Sequence, residues 1–78
     1  MAHPTRCHYE VGGSWGGIAL CRNHNGGSYR GIVLCKWPDG KVEDFEGGWR
    51  QYGKSYAYCQ GDSQAMSAGV ETSPYNKT

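Results

Sequence analysis

Apolar and polar positions alternate with a period of two through the most informative stretch of the chain. Between Ser28 and Trp37, Tyr29, Gly31, Val33, Cys35 and Trp37 share one face of an extended strand. Arg30, Ile32, Leu34 and Lys36 share the other. Neither face is wholly polar. This predicts a central strand with one face in the core and the other covered or meeting a partner. Fourteen residues earlier, Trp15, Ala19 and Cys21 repeat the first face, and Ile18 and Leu20 repeat the second. Toward the C-terminus, Met66, Ala68 and Val70 alternate and are expected to close the core. No segment carries a 3.6-residue apolar period, and the best helical fragment, Ser63 to Ala68, is too short to stand alone.

Strands are therefore expected at about residues 7–11, 14–22, 28–37, 41–46, 54–60 and 65–72. Turn chemistry separates them. Asn25-Gly26-Gly27 supplies positive φ for a tight reversal. Pro38-Asp39-Gly40 fits a turn with Pro second and Gly closing it. Glu46-Gly47-Gly48 and Gly61-Asp62 are further breaks. Short strands at regular spacing predict one all-β domain over residues 1–78, a small antiparallel β-sandwich or barrel of about six strands. Residues 1–6 and 73–78 read as flexible tails.

The alternation rests on an internal repeat. Residues 12–22 (GGSWGGIALCR) and 26–36 (GGSYRGIVLCK) are identical at seven of eleven positions, with three conservative exchanges. The period of 14 also carries Cys7, Cys21 and Cys35, and a weaker echo occurs at Gly47-Gly48-Trp49. It suits one strand plus one turn, hence a β-meander. The repeat serves either folding alone or a duplicated binding surface.

Composition makes the core thin. Of 78 residues only 37% are hydrophobic, with 13 glycines that raise the entropic cost of folding. Such scaffolds need a covalent or metal staple. The four cysteines, Cys7, Cys21, Cys35 and Cys59, include no CxxC pair, so disulfides are favoured over zinc, and with them an oxidising, extracellular location. Secretion then implies that a leader has been removed. Four cysteines allow three pairings; Cys7–Cys21 with Cys35–Cys59 is preferred because each links neighbouring or facing strands over a modest loop. Net charge is +1, which argues against an electrostatic nucleic-acid binder, and no apolar run is long enough to span a membrane. The chain is expected to be a monomer on its own.

Candidate catalytic chemistry is sparse. Glu43, Asp44 and Glu46, with Asp39 nearby, are the only carboxylate cluster, but adjacent residues on a strand point to opposite faces, and charge on an edge strand guards against aggregation. His3, His8 and His24 show no metal-ligand spacing. The glycine pairs lack the Lys-Ser/Thr ending of a phosphate loop. We expect no enzyme activity, metal or cofactor.

The aromatics, 13% of the chain, are too many for so small a core. Some of them, with Trp15, Trp37 and Tyr58 as candidates, can patch it. Trp49, Arg50, Tyr52 and Tyr56 lie in a segment rich in hot-spot residue types and form the candidate partner-binding set. Trp15 and Tyr29, each after a Gly-Gly-Ser turn, form an alternative sugar-binding set. The chain resembles the secreted α-amylase inhibitors of the tendamistat type in size, in four cysteines and in a short first and longer second cysteine interval. Those inhibitors use an exposed Trp-Arg-Tyr turn, and Trp49-Arg50-Gln51-Tyr52 is the nearest match here. It also resembles small secreted actinomycete proteins through Gly48-Trp49, Ser55 to Cys59 and Ser67-Ala68-Gly69-Val70. These likenesses imply a disulfide-bonded β-sandwich that is exported. The expected function is a secreted, non-catalytic protein-binding domain, either an inhibitor or a subunit of a secreted complex. The alternatives are a lectin-like sugar binder and a small secreted toxin or antimicrobial protein.

Overall fold

A computed structural model describes all residues, 1–78. Six strands follow in order: β1 (Thr5–Gly13), β2 (Gly16–Asn23), β3 (Ser28–Lys36), β4 (Val42–Glu46), β5 (Ser55–Tyr58) and β6 (Gln64–Ser73). They form two three-stranded antiparallel sheets, β1-β2-β5 and β4-β3-β6. The protein is all-β, without a helix, so no helix is long and apolar enough to cross a membrane.

The two similar segments supply the central strands, β2 of one sheet and β3 of the other. They do not pair as a meander would. The reversal between them, His24 to Gly27, has positive φ at Asn25 and Gly26 and closes with Gly27 N–H donating to the His24 carbonyl at 2.8 Å. Positive φ at both central residues is what a type I′ turn needs, and Asn-Gly supplies it with little strain. The chain leaves this turn into a different sheet because each central strand has an apolar inner face to cover. Ala19 and Cys21 of β2 and Tyr29, Val33 and Cys35 of β3 are buried, as is Ala57 of β5.

This core is small, so polar groups enter it. Ser55 is buried and satisfied twice: its Oγ accepts from Gly31 N–H at 2.9 Å and donates to the Gly48 carbonyl at 2.7 Å. No buried side-chain polar atom is left without a partner, which a thin core requires. Two disulfides complete it. Cys7–Cys21 ties β1 to β2 at directly paired positions within one sheet. Cys35–Cys59 ties β3 to the residue following β5, across the two sheets.

Two expectations change. Met66 does not close the core; it is 53% exposed. The β3–β6 register slips between Leu34 and Cys35, pairing Leu34 with Ser67 and Cys35 with Ala65. Met66 is the extra residue of that bulge, and Ala65 packs against the core instead. The chain ends are not free tails. Thr5 and Arg6 belong to β1, Pro4 is buried, and Ala2 N–H donates to the Asn25 carbonyl. At the other end, Ser28 Oγ donates to the Tyr75 carbonyl at 2.6 Å and accepts from Lys77 N–H at 3.1 Å. Buried Ser28, at the start of β3, gives the C-terminal segment an anchor that alternation does not reveal.

Candidate functional site

Strand β5 reads Ser55-Tyr56-Ala57-Tyr58. Ser55 and Ala57 are buried, so strand geometry turns Tyr56 and Tyr58 outward on the β1-β2-β5 sheet. Register places Tyr58 beside Gly16 and Tyr56 beside Ile18. Trp15, just before β2, joins them. Its ring lies across Gly12 and Gly13, where any larger residue would displace it. Ring centroids are 5.5 Å apart for Trp15 and Tyr58, 6.1 Å for Trp15 and Tyr56, and 6.4 Å for the two tyrosines. Trp15, Tyr56 and Tyr58 remain 40%, 39% and 54% exposed. None of their side-chain polar atoms bonds within the chain, whereas the hydroxyls of Tyr29 and Tyr52 are both engaged.

Further along the same face the surface changes from aromatic to basic. A shallow groove of ≈ 370 Å³ is lined by His8, Glu10, Ile18, Leu20, Arg22 and Lys54 among others. Ile18 and Leu20 form its half-buried floor, and the cationic groups stand around it. One continuous strip therefore runs along β2 from three exposed rings to Arg22.

The residues singled out as Trp49, Arg50, Tyr52 and Tyr56 interact with different neighbours and do not form one cluster. Trp49 is half-buried, with the Arg30 guanidinium 4.6 Å and the Lys77 ammonium 4.9 Å from its ring centroid. Arg30 in turn pairs with Glu71 at 2.7 Å and Glu46 at 3.8 Å on the outer side of the other sheet. Arg50 bridges Tyr29 through its backbone. Tyr52 is 74% exposed on the loop between β4 and β5, and its hydroxyl meets His24 Nε2 at 3.0 Å. The Nδ1 of His24 accepts Gly26 N–H, so Nε2 carries the proton and donates to Tyr52. Of the four, only Tyr56 belongs to the aromatic strip.

Of the alternative pair, Trp15 is on the strip and Tyr29 is fully buried, offering no surface to a ligand. Burial pushes the Tyr29 phenol above its ordinary value, with the Cys21 backbone and Arg50 offsetting part of the effect. Tyr58 is the site residue that sequence reasoning assigned elsewhere. Its signal was the period-two pattern Tyr56-Ala57-Tyr58, with the small residue inside.

The carboxylate cluster of Asp39, Glu43, Asp44 and Glu46 stays apart from this strip. On edge strand β4, Glu43 accepts from Trp37 Nε1 at 3.0 Å and Glu46 faces Arg30. No group of three or more His, Cys, Asp or Glu side chains is placed to hold a metal ion. No protein-family model, curated protein or solved structure matches the chain.

Proposed function

We propose that this is an extracellular, non-catalytic binding protein that docks a macromolecular partner on the outer face of the β1-β2-β5 sheet. The observation that carries the reading is the contiguous exposed cluster of Trp15, Tyr56 and Tyr58, with polar edges that bond to nothing in the chain. Buried neighbours hold the two tyrosines in place, so binding them costs little ordering entropy. Trp and Tyr are the residue types that dominate binding hot spots. Two disulfides in a chain this small fit an oxidising compartment. The likeness to tendamistat-type inhibitors in size and cysteine intervals supports an exported β-sandwich, while the matching Trp49-Arg50-Gln51-Tyr52 motif lies away from this face.

The test compares two surfaces. Immobilised protein is screened against glycans and secreted proteins, and each bound ligand is retested with Tyr56→Ser/Tyr58→Ser and with Arg50→Ala/Tyr52→Ser. Binding lost in the first double variant and kept in the second supports the sheet face. The reverse pattern would move the site to the loop and overturn the assignment.

A further inference from the structure

We infer that the ligand of this face is a linear anionic polysaccharide, resting on the docking-face reading above. The strip has two halves. Its aromatic half is Trp15, Tyr56 and Tyr58, and its basic half is Lys54 and Arg22 beside His8, with Glu10 the one carboxylate in the groove. Along β2, from Gly16 to Arg22, six steps of about 3.3 Å give roughly 20 Å, enough for several sugar units in line.

Aromatic faces carry negative quadrupole density, and the C–H edges of a pyranose ring are weakly positive, so the two pack face to face. The Tyr56 and Tyr58 rings lie within 18° of parallel, two residues apart on one side of one strand. They stack on each other with centroids 6.4 Å apart, beside the tilted Trp15 ring, so the cluster meets a ligand with edges and hydroxyl tips as well as ring faces. The free hydroxyls at their tips suit sugar hydroxyls.

Charge selects the class of sugar. The groove sets two fixed cations against one carboxylate, whereas on the outer side of β4-β3-β6 the carboxylates of Asp44, Glu46 and Glu71 are balanced by Arg30, Lys36 and Lys77. A net charge of +1 is thus distributed so that the aromatic face is the one that attracts anions. A nucleic acid presents a phosphate on every nucleotide and is held by releasing counterions at many cations; two fixed cations match a sparser charge. A protein interface of standard size needs about 800 Å² from each partner. That is roughly a sixth of the 4690 Å² surface of this chain, and a protein ligand on the same three-strand face is the competing outcome of the test.

Isothermal titration with polygalacturonate, neutral hydroxyethyl cellulose and oligo(dT) tests the assignment. We expect polygalacturonate to bind at least about tenfold more tightly than the other two. Tyr58→Ala should weaken it about tenfold, the effect of a hot-spot truncation. Arg22→Ala/Lys54→Ala should weaken it several-fold and flatten its salt dependence. Tyr52→Ala should leave it within about twofold, with all variants keeping the wild-type unfolding temperature to within a few degrees. Equal affinity for the neutral polymer, tighter binding of oligo(dT), or indifference to Arg22→Ala/Lys54→Ala overturns the anionic glycan. If polygalacturonate fails to bind while a protein ligand is lost in Tyr56→Ser/Tyr58→Ser, the glycan assignment falls and the docking face stands. If polygalacturonate binds and is lost only in Tyr52→Ala, both fall.

Discussion

Strands β2 and β3 are built from nearly the same eleven-residue pattern, yet their sheets present different outer faces. One non-conservative exchange separates the copies: Gly16 in the first is Arg30 in the second. A side chain at Gly16 would meet the Ala57 carbonyl, so glycine there lets β5 approach and bring Tyr56 and Tyr58 alongside. Arg30 instead projects between Glu46 and Glu71 and under Trp49. The aromatics diverge as well. Tyr29 lies within β3 and follows its inward alternation, whereas Trp15 lies in the turn before β2 and folds back over Gly12 and Gly13. Equivalent positions acquire opposite fates because their neighbours, β5 on one side and β4 and β6 on the other, are not equivalent. One outer face pairs Arg30 with carboxylates within the chain, and the other leaves the polar tips of its exposed aromatics unbonded.

The largest test of the comparison lies in the staples. Cys35–Cys59 joins the two sheets over 24 residues, and Cys7–Cys21 lies within one sheet over 14. Removing either by paired Cys→Ser should cost about 3 kcal/mol, since a loop of about 15 residues is already worth that much. The inter-sheet bridge should cost more. It closes the longer loop, and Cys35 sits in the core with Val33 and Ala57. Urea midpoints of the two variants give the order. An equal or reversed order would show that the sheets do not depend on their cross-link.

The exchanged position comes next. Gly16→Ala should destabilise by about 1–3 kcal/mol, because the new Cβ would run into the Ala57 carbonyl oxygen, and backbone must move. Arg30→Ala should cost about 1 kcal/mol, the loss of a half-exposed ion pair and a cation–π contact. Gly16→Ala should also shift the Tyr56 and Tyr58 ring signals in NMR spectra, and Arg30→Ala should leave them in place.

Tyr29 and Trp15 provide a third contrast. Tyr29→Phe removes a hydroxyl that donates to the Gly53 carbonyl and should cost about 1 kcal/mol. Its pH dependence is diagnostic. Burial raises the folded-state pKa of Tyr29 above 10.0, so the fold favours the neutral phenol. That stability is fully present below pH 10.0 and is lost as pH climbs past it toward the raised value. Tyr29→Phe should therefore unfold less steeply under alkali than the parent in urea titrations. A matching alkaline slope in parent and variant would remove Tyr29 from the account.

Most of the fold was legible in residue patterns. Alternation around Val33 and Cys35 marked the inner face, Asn25-Gly26 marked the reversal, and the modest loops between neighbouring strands favoured the cysteine pairing that the structure contains. Sheet membership was not legible. Alternation says which face of β2 is buried, but nothing local says that β5 and not β3 lies beside it. The same gap scattered the site. Trp49, Arg50, Tyr52 and Tyr56 are neighbours in sequence, yet Trp49 is drawn to Arg30 and Lys77 while Tyr56 is drawn to Trp15. Met66 was misplaced for a related reason, since one bulge residue inverts the facing of everything beyond it.

The smallest expected effect separates the two outer faces most directly. Glu71→Gln removes the carboxylate that Arg30 holds at 2.7 Å, but the pair is partly open to solvent, with side chains 25% and 42% exposed. Its loss should cost at most about 1 kcal/mol and shrink toward zero in about 1 M salt, where screening shortens the range of charge to about 3 Å. Tyr58→Ser on the opposite face should cost no more than about 1 kcal/mol, from its ring contacts with Trp15 and Tyr56, and that cost should not depend on salt because no ion pair is lost. Thermal unfolding at two ionic strengths distinguishes them. A salt-dependent loss in Glu71→Gln beside indifference to salt in Tyr58→Ser means that the β4-β3-β6 face spends its side chains on the fold. A larger loss of stability in Tyr58→Ser would instead make the aromatic cluster part of the fold, and its exposure would no longer argue for a partner.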